Sequence, residues 1–268
     1  MGTMIILLNI AGLALLGLSV GVFSAGLGLG GGVLMVPAFI TFIPGMDMHT
    51  AKGTSLFIIL LVALSGFPRV RRLQEHKPHL SSSFWVICGA LLGGYVGAFI
   101  TSYMSEQGLL TLFLLFIVFL MLRLVIGEPQ PFVKRKLHHR NGMLLLVGIA
   151  AGAAGSATGT GGGSLLAPLI LLTGLLPHTQ LVYTANEVMI ATSLAAAPAH
   201  FLAEQNYHHY FSIGQVCLEV VPVIVLFAQA GVIIGARMNH TMQANRRRWI
   251  LAVVLALVAM RILHKLIL

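Results

Sequence analysis

Hydroxyls, backbone amides and one lysine gather at two places in this chain. Thr54 and Ser55 follow closely on Lys52, and Thr192 and Ser193 repeat the Thr-Ser pair in the second half. A glycine triplet precedes each pair: Gly30, Gly31 and Gly32 in the first case, Gly161, Gly162 and Gly163 in the second. Hydroxyl and amide groups donate hydrogen bonds and a lysine adds positive charge. The chemistry these residue types share is holding an oxyanion, which accepts hydrogen bonds and offers none when fully ionised. Three consecutive glycines in an apolar helix cost roughly 1 kcal/mol each relative to alanine, so the backbone is expected to bend or unwind there. Amides freed in this way cannot face lipid and must be buried or line a polar cavity. A helix restarting after such a break points its amide dipoles at an anion without a permanent ion pair, so the anion can also leave.

Each of these residues has a plainer use. Small-xxx-small spacing lets helices pack closely, which accounts for Gly93 with Gly97 and Gly231 with Gly235. It accounts less well for a triplet, which spreads over every face of a helix. A lysine at the start of an apolar run can snorkel to the interface, and Ser and Thr hydroxyls often bond to the preceding turn of their own helix. Asn186 and Glu187 are expected to cap the eighth apolar segment, with proton coupling through Glu187 as the minor alternative.

Two other chemistries compete with anion holding. Ser156 or Ser164 with His200 as base would make an intramembrane serine hydrolase. Against it, the matching stretch from Gly30 to Pro37 has no serine at either position, and duplication serves a shared path better than one nucleophile. A metal or cation permease would need ligands at helical spacing. His138/His139 and His208/His209 are adjacent pairs, which do not share a helix face, and the methionines are scattered. No catalytic residue, metal or cofactor is expected.

The elements that must position these groups are membrane helices. The 268 residues are 57% hydrophobic and 9% charged, with mean hydropathy +0.95, outside the range of a soluble domain. The net charge of +9 does not point to nucleic acid, because the basic residues sit in short loops between apolar runs. Cys88 and Cys217 lie in or beside apolar segments without metal-ligand spacing and read as buried free thiols. The first apolar run starts near Met1 with no Lys or Arg ahead of it, so it reads as a retained helix. Ten segments follow from the hydropathy: Met4 to Phe23, Gly30 to Ile43, Ala51 to Phe67, Phe84 to Met104, Leu109 to Ile126, Gly142 to Ala157, Gly161 to Leu176, Val188 to Leu202, Val216 to Ala236 and Trp249 to Leu268.

Charge sets their orientation. Of the 16 Lys and Arg, all but Lys52, Arg123, Arg261 and Lys265 fall in three loops: Arg69 to Lys77, Lys134 to Arg140, and Arg237 to Arg248. These should be cytoplasmic, while the neutral loops near Ser105 and Asn206 should face outward. The short Gly-rich segments could be re-entrant by length alone, but only full crossings put every basic loop in the cytoplasm. Five crossings per half make the halves antiparallel and leave both termini outside.

The repeat is visible residue by residue. Gly161 matches Gly30 and Pro168 matches Pro37 at one spacing; Thr54-Ser55-Leu56 matches Thr192-Ser193-Leu194, and Arg123 matches Arg261, at a longer one. The expected fold is an all-α polytopic membrane protein of two five-segment inverted repeats with Gly-broken helices, residues 1–140 and 141–268. Such duplicated folds hold substrate near the bilayer midplane, where one half rocks or slides against the other.

The two Gly-Gly-Gly-x-Leu-x-x-Pro elements, Gly30 to Pro37 and Gly161 to Pro168, with Ala51-Lys52-Gly53-Thr54-Ser55, resemble the sulfite exporter TauE/SafE family, also called the TSUP permeases. The resemblance covers essentially the whole chain. It implies a bacterial inner-membrane permease for small sulfur-containing or carboxylate anions such as sulfite, sulfoacetate or related organosulfonates. The partners implied are a small anionic substrate and membrane lipid, with no nucleic acid; a homo-oligomer is compatible with the sequence. With the cell interior negative, moving one negative charge outward gains about 2.3 kcal/mol per 100 mV, which favours export. The halves differ where Ile190 stands opposite Lys52 and Ala191 opposite Gly53, so an asymmetric site is expected.

Overall fold

The computed structural model describes residues 2–27, 31–73, 80–126, 140–177, 180–203 and 211–267. Among these, the chain forms ten helices: α1 (Gly2–Leu27), α2 (Gly32–Phe42), α3 (Met48–Leu73), α4 (Leu80–Ser102), α5 (Glu106–Ile126), α6 (Arg140–Thr158), α7 (Gly163–Thr173), α8 (Leu181–Phe201), α9 (Val221–Thr241) and α10 (Ala244–Ile267). A two-stranded antiparallel hairpin, β1 (Ser212–Ile213) and β2 (Val216–Cys217), separates α8 from α9. Six helical stretches are long and apolar enough to cross a membrane: Met48–Arg72, Ser83–Ser102, Glu106–Leu124, Arg140–Thr158, Val221–Met238 and Arg248–Ile267. Large apolar side chains such as Leu92, Phe99, Leu115, Leu226 and Leu257 remain exposed, as lipid-facing positions require.

Glycine decides which helices pair most closely. Gly93 of α4 and Gly148 and Gly152 of α6 face one another's helices so closely that a Cβ at any of them would fall on the opposing backbone. Gly17 and Gly21 of α1 meet α9 in the same way, as does Gly231 of α9 against Leu18 and Val22 of α1. The expected packing role of Gly93, Gly97 and Gly231 is therefore met by helix contacts at each. The α4–α6 and α1–α9 pairs each take one helix from residues 1–140 and one from residues 141–268. Between them α3 packs against α8, and α5 lies along α10.

The two short helices are the structured remnants of the Gly-rich segments. With 11 residues each, α2 and α7 are about 16 Å long, half the roughly 30 Å of hydrocarbon core. Helix α7 folds back along α6: Gly162 lies against Ala151, and Arg140 Nη2 donates to the Leu175 carbonyl at 3.3 Å, tying the far end of α7 to the start of α6. Gly174, at φ 62, ends α7 in the left-handed conformation that glycine adopts without steric cost.

Two sequence expectations are corrected. The ninth segment does not begin at Val216, because residues 212–217 pair as a hairpin around Gly214 and the helix starts at Val221, with Pro222 in its first turn. The eighth begins at Leu181 rather than Val188, so Asn186 and Glu187 lie inside the helix and cap nothing. Asn186 instead donates its side-chain amide to the Ala63 carbonyl of α3 at 3.2 Å. Gly30, Lys77, Lys134, Arg135, Lys136, His138, His139, Asn206, His208 and His209 lie outside the described residues.

Candidate functional site

The second Gly-rich break is unwound. Gly159, Gly161 and Gly162 take φ of 75, 77 and 81, a left-handed run that only glycine tolerates readily. The amides of Thr160 and Gly161 both bond to the Gly155 carbonyl, at 2.8 and 3.1 Å, which closes the end of α6. Helix α7 then restarts at Gly163 with no side chain capping its amides. The described end of the first segment differs at the position that matches Gly162. Gly31 is right-handed at φ −61, and Gly32 is already helical, so glycine serves there for proximity rather than for handedness. A Cβ at Gly32 would overlap the Gly159 carbonyl and lie 2.6 Å from Thr160 Cα. The two breaks touch, backbone to backbone.

Helix α3 runs beside this contact. Ser55 Oγ donates to the Gly159 carbonyl at 2.8 Å, and Lys52 packs its stem against Gly159. Lys52 has a relative exposure of 0%, so it does not snorkel. Its Nζ donates to Thr101 Oγ1 at 2.6 Å, and Thr101 passes its own proton to the Gly97 carbonyl at 2.7 Å. Among the described residues no carboxylate pairs with Lys52. Asp47 acts on it through space but spends Oδ1 on the Thr50 amide at the start of α3. A dry ammonium without an ion-pair partner is costly, and the group that would offset the cost is an anion.

The remaining sequence candidates divide. Thr54 Oγ1 accepts the Cys217 amide at 2.9 Å, so this hydroxyl anchors the hairpin to α3. Thr192 and Ser193 are buried, and neither hydroxyl has a partner among the described residues. They stand one helical turn beyond Val188, which meets Gly162, and Met189, which meets Gly161 and Gly163. Gly161, Gly162 and Gly163 are thus lined by α3 through Ile59 and by α8, while Gly31 meets Val20 and Met35. Ser156 Oγ donates to the Ala153 carbonyl and Ser164 Oγ to Thr160 Oγ1; neither meets His200, as a serine hydrolase would need.

Two histidines flank Lys52. His200 of α8 lies against Gly53, and its Nδ1 is 2.9 Å from Gln215 Oε1; Gln215 also donates its backbone amide to the His200 carbonyl at 2.8 Å. His49 Nε2 is 3.0 Å from the Met104 carbonyl. The second nitrogen of each ring is buried without a partner. Sequence reasoning missed Thr101 and Gln215 because each is brought in from a distant segment with no local pattern, whereas His49, one helical turn before Lys52, was within reach of the spacing. Gly159, four residues after Gly155 in a visibly Gly-rich run, was within reach of it.

The profile of the family described as Sulfite exporter TauE/SafE matches residues 13–262. The chain is similar to the "Probable membrane transporter protein YunE" of Bacillus subtilis (strain 168), at 22% identity over 94% of this chain and 97% of that protein. It is also similar to a "Probable membrane transporter protein" of Haemophilus influenzae, at 26% identity over 92% of this chain and 93% of that one. No solved structure matches it.

Proposed function

The chain belongs to the sulfite exporter TauE/SafE family of membrane transporters, and from that premise we propose that it moves a small sulfur-containing or organic anion, such as sulfite or an organosulfonate, out of the cell. The observation that carries the reading is Lys52, wholly buried without a carboxylate partner beside the touching glycine breaks. The anion is held at the Lys52 amine, beside Gly159; the amides that open α7 at Gly162, Gly163 and Ser164 and the unpartnered hydroxyls of Thr192 and Ser193 lie further along the same seam, where Thr192 meets Gly94 of α4, and serve its path. Ser55 and Thr54 hold that frame, the first through Gly159 and the second through Cys217. A cation permease is disfavoured by the same lysine, since a buried amine offers hydrogen-bond donors rather than the oxygen or sulfur ligands that a metal cation takes.

Topology follows the charges. The return of α7 to the Arg140 end supports an α8 that starts on the Arg140 side and ends opposite it, in line with the reading of the basic loops as cytoplasmic. The halves are then inverted repeats, with both termini outside the inner membrane. Access alternates by motion at the seam. Because each glycine-packed pair joins the two halves, the bodies that move are α1–α9 and α4–α6 rather than residues 1–140 against 141–268.

The test is a thermal-shift screen of purified protein against sulfite, thiosulfate, sulfoacetate and carboxylate analogues. A ligand at 100 times its Kd stabilises the native state by about 2.7 kcal/mol. A rise for anions, none for Zn²⁺ or Cu⁺, and sulfite efflux from loaded liposomes are the expected results. Stabilisation by cations alone defeats the reading.

A further inference from the structure

His200 is buried to 1% exposure and fixed from two directions by Gln215. A glutamine Oε1 only accepts, so the contact at Nδ1 requires the proton on that nitrogen. The neutral ring then presents Nε2 as a bare lone pair, and among the described residues no donor reaches it. Its Cγ and Nδ1 face Gly53, the residue after Lys52, and the Lys52 amine acts on the ring through space. Among the described residues, the titratable groups acting on His200 are Lys52 and His49, both of α3, with no carboxylate. His49 has a similar bare nitrogen, Nδ1, but Asp47 and Glu106 act on that ring as well as Lys52. The hairpin contributes Gln215 and, further along, Cys217, which is tied to Thr54.

This arrangement is one charge short for a divalent guest. Lys52 alone leaves a dianion with a net negative charge in a water-poor site, whereas a proton on Nε2 supplies a second cation and turns an idle lone pair into a donor. We propose that His200 is the charge-adjusting ligand of the site, taking up one proton from solvent when a divalent oxyanion binds. The proton leaves a water or buffer donor, forms the Nε2–H bond and gives an imidazolium; no other bond changes. The inference rests on the anion-transport reading and adds to it the charge class of the substrate. A dianion carried with one proton crosses as a single net negative charge, so export remains downhill under an inside-negative potential.

Calorimetry of thiosulfate binding to the detergent-purified full chain, in buffers of different ionisation enthalpy, counts the protons exchanged. Thiosulfate stays divalent near neutral pH, so any proton taken up lands on the protein. The expected result is uptake of about one proton per anion in the unmodified protein. Its affinity should fall up to tenfold per pH unit on the alkaline limb. His200→Gln, which keeps a polar group facing Gln215, should lose both effects, while His49→Gln should keep the uptake. Thiosulfate binding without proton uptake in the unmodified protein overturns the inference even if no variant folds. So does uptake that survives in His200→Gln or vanishes in His49→Gln. Binding of monovalent methanesulfonate with no binding of thiosulfate overturns it too, while leaving anion transport standing; no binding of either anion removes the transport reading itself.

Discussion

Replacing Lys52 by methionine separates a structural lysine from a ligand-holding one, because the two roles predict opposite signs. The unbranched methionine fills the channel along Gly159 that the lysine stem occupies. Thr101 loses the Nζ donor but keeps its own bonds to the Gly97 and Ala98 carbonyls at 2.7 and 3.2 Å, so no buried donor is orphaned. What disappears is a dry cation with no paired carboxylate. Exchanging such a charge for apolar volume is neutral to stabilising by about 1–4 kcal/mol. Anion binding moves the other way. One charge pair at about 4 Å and an effective dielectric near 20 is worth about 4 kcal/mol, or about a thousandfold in affinity. Lys52→Met is therefore expected to melt at or above the unmodified protein in the absence of ligand, and to lose the stabilisation that sulfite gives. Thermal unfolding in lipid nanodiscs, with and without sulfite, reads both. A variant that melts lower yet responds fully to sulfite would refute the reasoning and make Lys52 a packing residue.

The neighbouring glycines should separate by what a Cβ meets. Gly32→Ala pushes on the Gly159 and Thr160 backbone and is expected to cost about 1–3 kcal/mol and most of the anion flux, whereas Gly31→Ala meets only the side-chain ends of Val20 and Met35, at 3.0 and 3.2 Å, and should be near neutral. Equal melting temperatures for the two variants would count against a backbone contact between the breaks. Thr54→Val strands the buried Cys217 amide and should destabilise by about 1–3 kcal/mol, with Thr54→Ser restoring most of it, as scanning calorimetry can show. A cysteine introduced at Asn206 should react with an impermeant reagent added outside intact cells; protection there would contradict the proposed topology.

The sequence displayed the number and approximate places of the helices, because long apolar runs in lipid have few alternatives to helix. It also displayed the two glycine breaks, since a triplet at matched positions is a local signal. It did not disclose that Gly31 and Gly162, at matched positions, differ in hand. Gly161 and Gly162 are needed for handedness and Gly32 for proximity, and identical letters cannot distinguish these uses. Val216 and Cys217 read as the start of a helix because they are apolar, and the turn at Gly214 outweighs that hydropathy only through its tertiary partners Thr54 and His200. Asn186 looked like a cap because polar residues favour helix starts, yet its partner is a carbonyl on another helix, at a sequence distance no local rule covers. The shared environment of Lys52, Thr101, His49 and His200 arises only when α3, α4 and α8 come together.

The glycine-welded pairs have a consequence for assembly. Cutting the chain in the 127–139 connection gives one fragment that owns α1 and α4 and another that owns α6 and α9, so each is left with two bare glycine grooves and no helix to fill them. Neither fragment should persist alone in a membrane, yet made together they should find each other, because the grooves are complementary and the severed linker belongs to neither. Two copies of a single five-helix chain lying antiparallel would present the same grooves to one another. The covalent join in the present molecule is therefore expected to be dispensable for its architecture, which producing the two fragments together would show.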